Sequence, residues 1–166
     1  MVKPCFMKFI SHRGNINGVN FEFENNPKYI DSAIDKGYDV EIDIRLNENK
    51  LFLGHDEPQY QVSVEWLLER KEYLWIHSKD FLSLTLLIGL HNNPLKVFFH
   101  QNEDYTIISD LHIWSHNLSK IDNRCIIPLL SKHEIENWVP TNVYGVCSDY
   151  IQILKENLHN ENNRSY

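Results

Sequence analysis

The stretch Phe9-Ile10-Ser11-His12-Arg13-Gly14 decides how this chain is read. An apolar run of strand character, Phe6, Met7, Phe9 and Ile10, stops at a histidine, an arginine and a glycine. Polar heads are thereby presented where a strand turns into a loop, which is where α/β proteins carry their chemistry. Six further runs end in the same way, at 39–46, 73–79, 96–101, 111–116, 125–130 and 143–149. Helical patterns lie between many of them: from Pro27 to about Lys36, 62–71, 81–91, 133–138 and 150 to about 158. Leu51-Phe52-Leu53 adds a hairpin arm to the second run across the turn Asn47-Glu48-Asn49-Lys50. Seven strands with polar C-terminal ends and short helices predict an α/β fold, a compact TIM-type (β/α) barrel. Its βα units must be shortened or missing, because such barrels rarely close in fewer than about 200 residues. The competing architecture is an open doubly wound sheet, in which these residues would gather only at a switch point.

With 166 residues, 42% of them hydrophobic, the chain is expected to form one domain, 1–159, followed by a frayed tail, 160–166. Sixteen Lys+Arg against 23 Asp+Glu give a net charge of -7, which argues against nucleic acid or an anionic membrane as partner. The three cysteines, Cys5, Cys125 and Cys147, form no C-x-x-C pair, so a reducing, cytoplasmic location is expected. The opening MVKPCFMKFI is too interrupted for a signal-peptide core and reads as strand. No apolar stretch is long enough to span a bilayer, so no integral membrane association is expected, and no signal sets the oligomeric state.

Side chains two apart on a strand share a face, so Glu41 and Asp43 can converge on one ion. Two hard carboxylates suit Mg²⁺ or Ca²⁺, with Mn²⁺ as an alternative. His77 and Lys79 share a face of the next strand; His77 can complete the metal shell and Lys79 can neutralise an anion. Taken alone, Lys79 reads by default as one half of a surface ion pair. Arg13 offers a bidentate fork for two phosphate oxygens. Histidines, a divalent-ion site and two cations are the parts of a phosphodiester-cleaving centre: one base, one acid, and charge to stabilise the phosphoryl oxygens. There is no G-x-S-x-G elbow, G-x-G-x-x-G or P-loop, so acyl-transfer and nucleotide sites lack support.

The order His12-Arg13-Gly14, Glu24-Asn25, Ala33 with Gly37, Val40-Glu41-Ile42-Asp43 and His55-Asp56 resembles the glycerophosphodiester phosphodiesterase family over residues 9–56. Weaker matches follow at 75–79 and at Gly145-Val146-Cys147-Ser148-Asp149-Tyr150. The resemblance implies a TIM-type barrel that hydrolyses a small-molecule glycerophosphodiester with one divalent cation, through a cyclic phosphate. It implies His12 and His55 as general acid and base, Arg13 and Lys79 on phosphate, and Glu41 and Asp43 on metal. His77 stands where the family usually has a third acidic ligand. Glu24 and Asn25 either line the site or brace its loop. His100, Gln101, Trp114 and His116 fall where a substrate head group would sit, although Trp114 can equally be core. Two other readings stand beside hydrolysis: a phospholipase D-like lyase releasing a cyclic phosphate, and a non-catalytic binding module on a degenerate barrel.

Overall fold

The computed structural model describes residues 7–90, 92 and 94–164; Cys5, Phe6 and His91 lie outside them, as do the side chains of 161–164. All seven expected runs form strands: β1 (Lys8–His12), β2 (Asp39–Asn47), β5 (Leu74–Ser78), β6 (Lys96–Phe98), β8 (Ile113–Ser115), β9 (Cys125–Pro128) and β10 (Gly145–Ser148). The remaining strands are β3 (Lys50–Leu53), β4 (Tyr60–Val62) and β7 (Tyr105–Ile107). Among the described residues five helices accompany them: α1 (Pro27–Asp35), α2 (Val64–Glu69), α3 (Phe81–Ile88), α4 (Lys132–Asn137) and α5 (Ile151–Arg164), the last running beyond the expected end near 158.

The sheet is mixed rather than a (β/α) barrel, which corrects the fold expected from the sequence. A parallel core runs β6-β5-β2-β1-β10-β9-β8. The pair β3–β4 extends β2 antiparallel, and β7 pairs antiparallel with β8. Helix does not alternate with strand: β6 passes to β8 through β7, and β8 passes to β9 through a loop. The physical reason is local. The segments 102–112 and 117–124 are short, polar and without a 3.6-residue apolar period, so neither can cover the sheet as a helix.

Local chemistry sets each element. Asn26 caps α1 through Lys28 N with Pro27 in the first turn, and Ser131 and Glu134 form a capping box on α4. Glu48 and Asn49 both take positive φ, 48° and 60°, as a two-residue hairpin turn between β2 and β3 requires. Two apolar layers result. The larger, including Ile30, Ala33, Leu67, Leu87, Ile135 and Leu154, joins the helices to the sheet. The smaller gathers Ile10, Trp75, Phe98, Trp114, Ile126 and Cys147 from six strands of the sheet, with Ile108 from the turn after β7. Phe98 on β6 stacks on Trp114 of β8 at 4.7 Å, and Ser109 N donates to Val97 O at 2.9 Å, so the sheet curls until its two ends meet. Among the described residues no helix is long and apolar enough to cross a membrane.

Candidate metal centre and its cavity

Register brings the polar strand ends together. His12 lies opposite Glu41 across β1–β2, and Asp43 lies opposite His77 across β2–β5. Glu41, Asp43 and His77 are all buried, and one ligand atom from each lies within 4.8 Å of the others. His77 Nδ1 stands 3.4 Å from Asp43 Oδ1 and 3.7 Å from Glu41 Oε1. Two ligands of one ion at about 2.0–2.2 Å each are separated by roughly 3–4 Å, as His77 is from each acid, so the three donors could hold a single divalent cation. Glu41 Oε2 and Asp43 Oδ1 are buried with no hydrogen-bond partner. Buried acid oxygens without hydrogen bonds are costly, and a cation would satisfy them.

The surroundings tune these groups. Burial, with Asp43 beside it, pushes the Glu41 carboxyl up to about 7. Burial also acts on Asp43, but His77, Arg13 and Lys79 outweigh it and hold that carboxyl well below the ordinary range. The two acids thus split: one is ionised, and the other takes a proton near neutrality until a cation displaces it. Burial lowers the pKa of His77 despite the pull of Asp43, leaving a neutral ring that can ligate.

His12 is held from behind. Its Nδ1 meets Asp149 Oδ1 at 2.8 Å, while Nε2 stands 3.8 Å from Glu41 Oε2. Burial disfavours its protonation, but Asp149 and Glu41 more than compensate, so its pKa is raised. Asp149 is itself fixed by Asn15 Nδ2 at 2.7 Å, and Asn15 donates also to Glu24 Oε1 at 2.9 Å. Neither Asp149 nor Asn15 was assigned a role from sequence. The available signal was Ser148-Asp149 at the end of the last strand, since β10 pairs with β1 and puts Ser148 beside Ser11.

Glu24 and Asn25 brace the loop. Glu24 accepts from Arg13 Nη1 at 3.0 Å, and Asn25 donates to Asp43 Oδ2 at 3.0 Å while its Oδ1 accepts from Asp43 N at 2.9 Å. Arg13 Nε also stands 2.8 Å from Asp43 Oδ2, so part of the expected phosphate fork is engaged by carboxylates. Arg13 and Asn25 both adopt left-handed backbone, φ 55° and 60°, with Asn25 N donating to Arg13 O at 3.0 Å. Lys79 Nζ stands 3.6 Å from Asp43 Oδ1, a part-buried pairing at the cavity rather than a surface one.

A cavity of about 390 Å³ opens above the centre. His12, Arg13, Glu41, His55, His77, Lys79, His100, Gln101 and Trp114 line it, and Phe99, His116, Pro128 and Leu130 complete its wall. It therefore collects most sequence-derived candidates; Glu24, Asn25 and Asp43 stand behind it. His55 lies at the rim, its ring hydrogen-bonded to Asp56 at 2.8 Å and its carbonyl held by Arg45 Nε at 3.1 Å. The loop depends on Gly54, whose φ of 148° and close approach to Glu57 O leave no room for a Cβ. Trp114 is both core and lining: it is 4% exposed, and its Nε1 is buried without a partner. Burial and the neighbouring His77 and His116 lower His100 to about 4.

No family model matches the chain, and no curated protein matches it either.

Proposed function

We propose that this chain is a divalent-cation-dependent phosphodiesterase acting on a glycerophosphodiester or a related small phosphodiester. One observation carries the reading: Glu41, whose Oε2 is buried without a hydrogen-bond partner, lines the same pocket as His12, with Asp43 directly behind it, and the outer nitrogen of His12 is free to exchange a proton while Asp149 holds the inner one. A divalent cation held by Glu41, Asp43 and His77 would supply Lewis acidity toward a phosphoryl oxygen.

The residues do the rest. Lys79 and the exposed part of Arg13 draw the diester anion to the cavity floor. His12 Nε2 takes a proton from the attacking hydroxyl, and Asp149 stabilises the imidazolium that forms. His55, at the rim, hands a proton to the departing oxygen. Attack by a neighbouring hydroxyl of the substrate gives a cyclic phosphate, which water then opens. The stacked rings and Gln101 on the far wall suit a polyol or sugar alcohol.

The test is turnover of glycerophosphodiesters followed by phosphorus NMR with Mg²⁺, Ca²⁺ or Mn²⁺, which also shows whether a cyclic product is released or opened. His12→Ala should lower the rate by about 10²–10⁴-fold with the fold intact. A folded wild type that turns over no diester with any of these ions defeats the proposal, as does full activity in His12→Ala.

A further inference from the structure

His77 is the residue that makes this centre unusual in donor chemistry. It is not a stray side chain that happens to point at two acids. Its ring lies nearly parallel to Phe98, at 5.0 Å and 7°, and to His100, at 4.3 Å and 9°. Phe98 and His100 are two residues apart on the neighbouring strand line, so they present a flat shelf, and their own planes differ by 3°. Phe98 is also the register partner of His77 and is backed by Trp114. The shelf accepts a planar ring and would be left bare by a carboxylate. It fixes the plane of the imidazole with Nδ1 turned toward Asp43 and Glu41. An imidazole on this site is therefore pre-oriented for ligation.

Donor type then decides which ions are favoured. Carboxylate, carbonyl and water oxygens suit Mg²⁺, Ca²⁺ and Mn²⁺, whereas imidazole nitrogen suits borderline transition ions. Three acids would put three negative charges around a hard ion; here two acids and a neutral ring supply one fewer. Lys79, 3.6 Å from Asp43, reduces the field at the site further. Mg²⁺ and Ca²⁺ depend on that field, because both gain little from a nitrogen lone pair, and Mg²⁺ also gives up water reluctantly. Co²⁺, Zn²⁺ and Fe²⁺ gain from the same lone pair.

We infer that the Glu41–Asp43–His77 centre is a borderline transition-metal site, selective for ions of the Co²⁺, Zn²⁺ and Fe²⁺ class over Mg²⁺ and Ca²⁺, with His77 as the selecting ligand. This rests on the proposal above that the centre holds a divalent cation, and it narrows the class of ion.

The experiment is calorimetric titration of metal-stripped protein with Co²⁺ and with Mg²⁺, repeated on His77→Asp, His77→Gln and Glu41→Gln. Wild type should bind Co²⁺ at least about 100-fold more tightly than Mg²⁺, and His77→Asp should cut that ratio about tenfold or more. Proton NMR of the Co²⁺ form should show a strongly shifted exchangeable imidazole proton that His77→Gln removes. His77→Gln keeps the test alive where His77→Asp fails to fold. Binding that Glu41→Gln abolishes, but with a Co²⁺/Mg²⁺ ratio unmoved by either His77 change, overturns the selectivity while leaving a metal-dependent activity standing. Absence of any metal binding by folded wild type overturns both.

Discussion

Replacing Glu41 by glutamine should make the metal-free protein more stable above neutral pH and, at the same time, insensitive to metal. Glu41 is raised from 4.5 to about 7 by burial and by Asp43. Between those two values the folded chain keeps a proton that the unfolded chain has released, so folding stability falls as pH rises through this window. The shift of about 2.5 units corresponds to roughly 3 kcal/mol at about 1.4 kcal/mol per unit. Glutamine mimics the protonated acid and carries no such penalty. At pH 4.5 the two proteins should be nearly equal, and at pH 8 the variant should be ahead by up to about 3 kcal/mol. For a chain of this size that is roughly 6–12 °C in Tm. Added cation inverts the order: at about 100 times its Kd it stabilises wild type by about 2.7 kcal/mol and the variant far less. The assay is thermal and urea unfolding in chelator from pH 4.5 to 8.5, then with cation. Other groups titrate in this range, so the difference between the two curves is the quantity to read. Parallel curves would mean that Glu41 titrates as an exposed carboxylate does, and the buried-charge account of the centre would fail.

Asp149→Asn should lower the pKa of His12, because the raised value rests on that carboxylate and on Glu41 against burial; an unchanged imidazole titration by NMR would refute it. Gly54→Ala should destabilise by about 2 kcal/mol or more, seen as a drop in Tm, since the added Cβ would sit 2.0 Å from Glu57 O at a φ of 148°. The same change should displace His55 and reduce diester turnover beyond the loss in stability.

The strands of the parallel core were legible because each is an apolar run cut short by polar residues, as at Ile10-Ser11-His12 and Ile76-His77-Ser78. What surrounds them was less so. Strands β4 and β7 are three residues each, and Tyr105-Thr106-Ile107 is too short to show a period. The barrel expectation failed there: no helical pattern lies between the runs at 96–101 and 111–116, and the chain forms the antiparallel strand β7 instead. Glu41, Asp43 and His77 were readable from two-residue alternation, which places each on the face where it is found. The support of His12 was not. Asn15 and Asp149 are separated by 134 residues, and only the pairing of the first and last strands brings them into contact. Glu24 and Asn25 were visible as a motif, but their bracing roles depend on left-handed backbone at Arg13 and Asn25, which composition does not announce.

The inner apolar layer has a consequence for traffic. Ile10, Trp75, Phe98, Ile108, Trp114, Ile126 and Cys147 fill the hollow of the curled sheet from side to side, each no more than 4% exposed. This layer closes off the interior beneath the cavity, with Trp114 belonging to both, so the cavity is reached from the side of its rim residue His55. A departing molecule and an incoming one that use that side exclude each other. A reaction there would be self-limiting as product accumulates, with competitive inhibition by product as its kinetic mark.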